Sequence, residues 1–245
     1  MKQMLNRKLL LLSNSTNPSE GYLQHAALPI SQFLGQQTKR VLFIPYAQVL
    51  PSLSDYALTV RRGFQAIGFQ LDSIHETRDE KSAITNAEAI VVGGGNTFNL
   101  LHNLYERDLL DAIRTRASEG IPYIGWSAGA NVACPSIKTT NDMPIIQPQS
   151  LNALGLIPFQ INPHFTDSQP SGYMGETRVQ RILEFVEINA NLYVVGLRDG
   201  SMLEIEGRTI RLVGNKPVSV FIKGSSPVDY SPADPLHFLL ASEGQ

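Results

Sequence analysis

The chain has 245 residues, 42% hydrophobic and 17% charged, which suits one α/β domain sharing a single core and excludes a chain too polar to fold. A formal charge of −2 and a pI near 6.2 supply no basic field for a phosphate backbone, and no apolar run is long enough to span a bilayer, so neither nucleic acid nor a membrane is an expected partner. Cys134 is the single cysteine, which excludes an intramolecular disulfide and a thiolate metal cage and fits a reducing cytoplasm.

At the start, Lys2, Arg7 and Lys8 precede the leucines of 9–12 in the manner of a leader peptide, but that apolar stretch is too short for one and polar Ser13-Asn14-Ser15 follows at once. The leucines therefore read as a buried first strand over 8–12, with Met4 as an alternative start. Further strands are predicted at 40–44, 70–74, 89–92, 122–125, 156–161 and 192–197. Between them lie amphipathic stretches. Val60, Phe64 and Ile67 share one helical face, and one long helix opens at Asn96 with Phe98, Leu101, Leu104, Tyr105, Ile113 and Ala117 along its stripe. After Asp199 the pattern changes to short runs at 202–205, 209–213 and 218–222, split by Gly207 and Gly214-Asn215, which predicts an antiparallel meander extending one edge of the main sheet. The proline-rich tail beyond Ser225 either covers part of the fold or frays. The expected architecture is one domain over 1–245: three-layer α/β, a mostly parallel sheet with helices on both faces, and a C-terminal antiparallel extension.

Gly125-Trp126-Ser127-Ala128-Gly129 is a G-x-S-x-G sequence preceded by a strand and followed by the small residues 130–134, the strand-turn-helix context of a nucleophilic serine. The bland alternative is an ordinary strand-to-helix turn. A second cluster, Gly93-Gly94-Gly95-Asn96, ends the strand at 89–92; amides of Gly94 or Gly95 with that of Ala128 suit a developing oxyanion, although three glycines also serve a tight turn or a phosphate. Among the histidines, His25 and His102 fall on predicted helices, His75 sits beside Glu76 and Arg78, and His237 is in the tail. His164 differs, because Asn162-Pro163 places it just past the carboxyl end of a strand, where α/β sites are assembled. Two carboxylates are candidates to orient it. Asp142 lies in a polar loop between serine and histidine, Asp199 directly follows a strand and is favoured by topology, and either serves as a turn former beside Pro144 or Gly200.

The blocks LLLSNST (10–16), VGGGNTF (92–98), YIGWSAGAN (123–131), TTNDMP (139–144) and QINPHFT (160–166) resemble the peptidase E, or aspartyl dipeptidase, family of serine peptidases, in order and across nearly the whole chain. The resemblance implies cytoplasmic hydrolysis of dipeptides with an N-terminal aspartate, without metal or cofactor, on a fold related to the class I glutamine amidotransferases. It places the serine and histidine on Ser127 and His164, and the acid on either Asp142 or Asp199. At the latter position the family carries Glu, so this chain is one methylene shorter there. The arginine that holds the substrate aspartate falls on Arg178, with Asn96 and the Thr139-Thr140 pair as the next candidates for substrate contact. Other readings are a relative cleaving aspartyl bonds in polymers such as cyanophycin, and an inert small-molecule binding module of the same fold. An amidotransferase would need cysteine at the elbow, and Cys134 lies downstream of it. The expected partners are small peptides, and the sequence leaves monomer and homodimer both open.

Overall fold

The computed structural model describes residues 6–168, Gly172 and 174–244; Met4 and the other outermost positions lie outside the described residues. In chain order come β1 (Lys8–Leu12), α1 (Ala27–Leu34), β2 (Arg40–Ile44), α2 (Leu53–Ala66), β3 (Gln70–Ser73), α3 (Glu80–Thr85), β4 (Ile90–Val92), α4 (Thr97–Glu106), α5 (Leu110–Ser118), β5 (Tyr123–Trp126) and the one-turn α6 (Ala128–Asn131). The second half adds β6 (Gln160–Asn162), α7 (Arg178–Ile188), β7 (Val194–Gly196), β8 (Met202–Glu206), β9 (Thr209–Val213), β10 (Val218–Phe221) and β11 (Val228–Tyr230).

A seven-stranded sheet has the order β3-β2-β4-β5-β1-β8-β9, parallel from β3 to β1 and antiparallel over the last two strands. Alternation along β1 explains why it is central. Leu10 and Leu12 pack with Ile30 and Phe33 of α1 and Val60 and Phe64 of α2, whereas Leu9 and Leu11 pack with Leu100 and Leu104 of α4 and Ile113 of α5. All four leucines are fully buried, each burial worth about 1.5–3 kcal/mol. The architecture is therefore the expected mixed α/β arrangement, a mostly parallel sheet with helices on both faces. Among the described residues no helix is long and apolar enough to cross a membrane.

Three expectations fail. The runs at 156–161 and 192–197 do not enter the main sheet; β6 and β7 pair in parallel within a second, four-stranded sheet ordered β11-β10-β7-β6. The open edge of β1 is taken by β8, and the ladder is prolonged by Ser13 N–H donating to Ser201 O, so no edge remains for them there. The meander accordingly splits: β8 and β9 extend the main sheet, while β10 crosses to pair antiparallel with β7. The single long helix after Asn96 is two helices, because Asp108 adopts a left-handed φ of 53° between α4 and α5. The tail covers rather than frays: β11 adds to β10, and a 3-10 segment, His237–Gly244, brings Leu239 into the core beside Leu236.

Candidate active site

The C-terminal ends of β1, β4 and β5 meet at Ser127. Its backbone stands at φ 52°, ψ −112°, a conformation that costs about 1–3 kcal/mol in a non-glycine residue and persists only where its surroundings enforce it. The two motif glycines show how. A Cβ on Gly125 would lie 2.3 Å from Gly129 O, and one on Gly129 would lie 2.1 Å from Val92 O, so only glycine lets the turn close between β5 and β4. Ser127 N–H donates to Leu12 O, and its own carbonyl accepts from Ala130 and Asn131, opening α6.

His164 and Asp199 come from the neighbouring ends of β6 and β7 in the smaller sheet. His164 Nε2 is 2.8 Å from Ser127 Oγ, and His164 Nδ1 is 2.8 Å from Asp199 Oδ1. Burial raises the Asp199 carboxyl pKa, but the hydrogen bond and charge of His164, then the Ser13 hydroxyl and the Lys216 charge, outweigh it and leave the pKa below the ordinary aspartate value. An ionised carboxylate only accepts, so Nδ1 carries the ring proton and Nε2 is left as the acceptor for the serine hydroxyl. Ser13, fully buried at the end of β1, ties this pair to the larger sheet: its Oγ accepts from His164 N–H at 2.8 Å and lies 2.9 Å from Asp199 Oδ1 and 2.8 Å from Leu197 O. Asn14 Oδ1 accepts from Gly200 N–H and holds the turn after Asp199. Neither Ser13 nor Asn14 was singled out for a role from sequence. The signal was there in an abrupt polar pair at the end of a wholly apolar strand.

The other carboxylate, Asp142, is not at the imidazole. Its Oδ2 accepts from Thr97 N–H at 2.7 Å, Thr97 Oγ1 at 2.6 Å and Thr140 Oγ1 at 3.2 Å, which places a negative charge at the N-terminus of α4. Asn96 caps the same helix, its Oδ1 accepting from Asn99 N–H and its Nδ2 donating to Met143 O. Thr139 Oγ1 accepts from Asn131 and lies 2.9 Å from Ile161 O. These polar side chains, candidates for substrate contact, are engaged by the scaffold.

The glycine strip after β4 runs alongside the serine, since a Cβ on Gly94 would stand 3.2 Å from Ser127 Cβ. Gly93 N–H donates to Ile44 O and Asn96 N–H to Ala47 O, whereas the N–H groups of Gly95 and Ala128 have no acceptor among the described residues. Gly95 is also exposed and Gly94 buried.

Beside the imidazole a cleft of about 470 Å³ is lined by residues including Phe165, Arg178, Arg198 and Lys216, with His164 and Asp199 on its wall. Arg198 is committed to Asp167 and Asp229. Arg178, the first residue of α7, has a buried Nη1 without a hydrogen-bond partner among the described residues; burial lowers the guanidinium pKa, Asp199 opposes that and Arg181 adds to it. Cys134 is fully buried and its thiol is pushed up to about 12 by burial, against the opposing Ile161 N–H, so it is no thiolate nucleophile. Among the described residues no three His, Cys, Asp or Glu side chains converge as metal ligands.

The model of peptidase family S51 matches residues 9–213. A peptidase E from Nostoc sp. is 52% identical over 236 residues, covering 96% of this chain and 98% of its own length. A peptidase E from Shewanella amazonensis is 48% identical, covering 90% of this chain and 93% of its own. Among solved structures, a peptidase from an acI-B1 Actinobacterium superposes with a TM-score of 0.68 at 17% identity over 96% of this chain and 98% of that one. A putative peptidase E protein from Listeria monocytogenes superposes with a TM-score of 0.64 at 22% identity over 85% and 98%. These two share the fold.

Proposed function

The chain belongs to peptidase family S51 and is a serine-type peptidase, and from that premise we propose that it hydrolyses dipeptides with an N-terminal aspartate through an acyl-enzyme on Ser127. In this reading Ser127 Oγ attacks the peptide carbonyl while His164 Nε2 takes its proton, and Asp199 steadies the imidazolium that forms. The amides of Gly95 and Ala128 hold the oxyanion. His164 then protonates the leaving amine as the C–N bond breaks, and an aspartyl ester remains on Ser127. Water, deprotonated by the same imidazole, attacks the ester and releases aspartate.

The specificity rests on one observation, the buried and unpartnered Nη1 of Arg178 in the cleft that also holds His164 and Asp199. A guanidinium left partly desolvated gains from a carboxylate that fits its planar fork, about 1.5–3 kcal/mol for a charge-assisted hydrogen bond. An N-terminal aspartate brings that carboxylate one methylene from the Cα next to the scissile carbonyl. A cytoplasmic setting belongs to the same reading, since the single cysteine is buried and the fold uses no disulfide. The test is a panel of Asp-Leu, Asn-Leu, Glu-Leu, Ala-Leu and a longer aspartyl peptide. Asp-Leu is expected to exceed Asn-Leu in kcat/KM by about tenfold or more. Equal turnover of Ala-Leu and Asp-Leu contradicts the specificity, and faster cleavage of the longer peptide contradicts the dipeptidase.

A further inference from the structure

A buried tyrosine stands behind the glycine strip, outside every motif described above. Tyr56, in the first turn of α2, is 8% exposed, and its ring meets Phe43 edge-on at 5.3 Å. Its hydroxyl oxygen accepts from Trp126 Nε1 at 3.1 Å and from the Tyr22 hydroxyl at 3.2 Å, and the Gly94 N–H also faces it. Trp126 immediately precedes the nucleophile, and Gly94 immediately precedes Gly95. One phenol oxygen thus bonds the side chain of the residue before Ser127 and stands against the first glycine of the strip.

Sterics reinforce the link. A Cβ on Gly93 would lie 2.6 Å from the Tyr56 hydroxyl, one on Gly94 3.0 Å from Trp126 Cδ1, and one on Gly95 2.5 Å from Ala47 O. The strip is therefore pressed on three sides by Tyr56, Trp126 and the Ala47 carbonyl. Gly94 is buried and Gly95 exposed, which leaves the Gly95 amide on the open side of the strip. We infer that Tyr56 is a positioning residue for the oxyanion site, its hydroxyl anchoring the Trp126 indole and bracing the glycine strip at Gly93 so that the Gly95 amide keeps its place beside Ser127. This rests on the serine peptidase reading, and it adds a residue that touches neither substrate nor triad.

Tyr56→Phe keeps the ring and its packing and removes only the oxygen. Losing an oxyanion donor outright lowers kcat by about 10²–10³-fold, so a donor displaced but retained should lower kcat by roughly tenfold, with KM for Asp-Leu changed less than about twofold. The rate of fluorophosphonate modification of Ser127 should fall by a similar factor, because the phosphoryl oxygen uses the same amides. A role in stability alone predicts a lower Tm with kcat per folded molecule and labelling rate unchanged, and that result overturns the inference. If Tyr56→Phe does not fold, Tyr22→Phe carries the test by removing one of the donors to the same oxygen: a kcat loss of roughly threefold at constant KM supports the inference, and an unchanged kcat overturns it. Wild-type protein that forms no adduct on Ser127 defeats the serine reading itself, whereas wild type and Tyr56→Phe labelling at equal rates defeats this inference alone.

Discussion

The two sheets divide the site between them and hold their shares by different means. The larger sheet presents Ser127 and the glycine strip from the ends of β5 and β4, fixed by backbone approaches so close that a single Cβ at Gly125 or Gly129 would collide with a carbonyl. The smaller sheet presents His164 and Asp199, whose side chains are 40% and 45% exposed and are held by hydrogen bonds. Ser13, at the end of β1, is the side chain from the larger sheet that bonds the imidazole-bearing backbone and lies within hydrogen-bond distance of the carboxylate. Ser127 is thus placed by shape, and His164 by polar contacts that cross between sheets. Loss of Ser127 or of either motif glycine on the first side should abolish activity, whereas changes on the second should be graded.

The largest effect belongs to the larger sheet. Ser127→Ala should leave a folded protein with activity lower by about 10³-fold or more, since the strained turn survives and the nucleophile does not. Steady-state kinetics on Asp-Leu, with circular dichroism to confirm folding, measure this, and activity within tenfold of wild type would dissolve the distinction between the two sides. At the start of α7, on the side of the smaller sheet, Arg178→Ala should lower kcat/KM for Asp-Leu by about ten- to a hundredfold and barely alter slow Asn-Leu cleavage. Arg178→Lys should restore only part, because an ammonium lacks the fork. Equal losses on both dipeptides would make Arg178 a structural residue of α7.

Ser13→Ala probes the bridge itself. The His164 N–H loses its acceptor and Asp199 loses a hydroxyl neighbour, so kcat should fall by about tenfold with KM nearly constant. A change in KM alone would show that Ser13 shapes the cleft instead. The smallest effect is in stability against pH. Because the Asp199 pKa is lowered on folding, the carboxylate stabilises the fold fully above the ordinary aspartate value, about 3.9, and this is lost as pH falls through the lowered value. The difference in unfolding midpoint between wild type and Asp199→Asn should shrink as pH falls below about 4. A difference that grows toward low pH would reverse the sign.

The same division explains what was legible in the sequence. β1 and β2 were readable to the residue, because an apolar run flanked by charge and polar turn residues has only one strand solution there. The elbow was readable because its sterics demand glycine at fixed spacing. The smaller sheet was not, since an apolar run states that a strand is buried on both faces and not which neighbour it pairs with. Choosing between Asp142 and Asp199 depended on that pairing: with β6 and β7 side by side, His164 and Asp199 leave adjacent strand ends, while Asp142 goes to the N-terminus of α4. Tyr56 was hidden for another reason: a single hydroxyl among buried apolar residues carries no spacing signal, and its partners lie far away in sequence. Ser13 stood out only as part of an abrupt polar pair, which does not say which distant residues it bonds.

The central claim, that a serine of the larger sheet is activated by a histidine and aspartate of the smaller one, is tested most directly by fluorophosphonate labelling with the adduct mapped by mass spectrometry. Wild type and Asp142→Asn should both carry one adduct on Ser127, formed at rates within about tenfold of each other, whereas Asp199→Asn should label slower by about 10²-fold or more, its imidazole no longer held in the proton-accepting tautomer. An adduct on a different residue, or slow labelling confined to Asp142→Asn, would contradict the account.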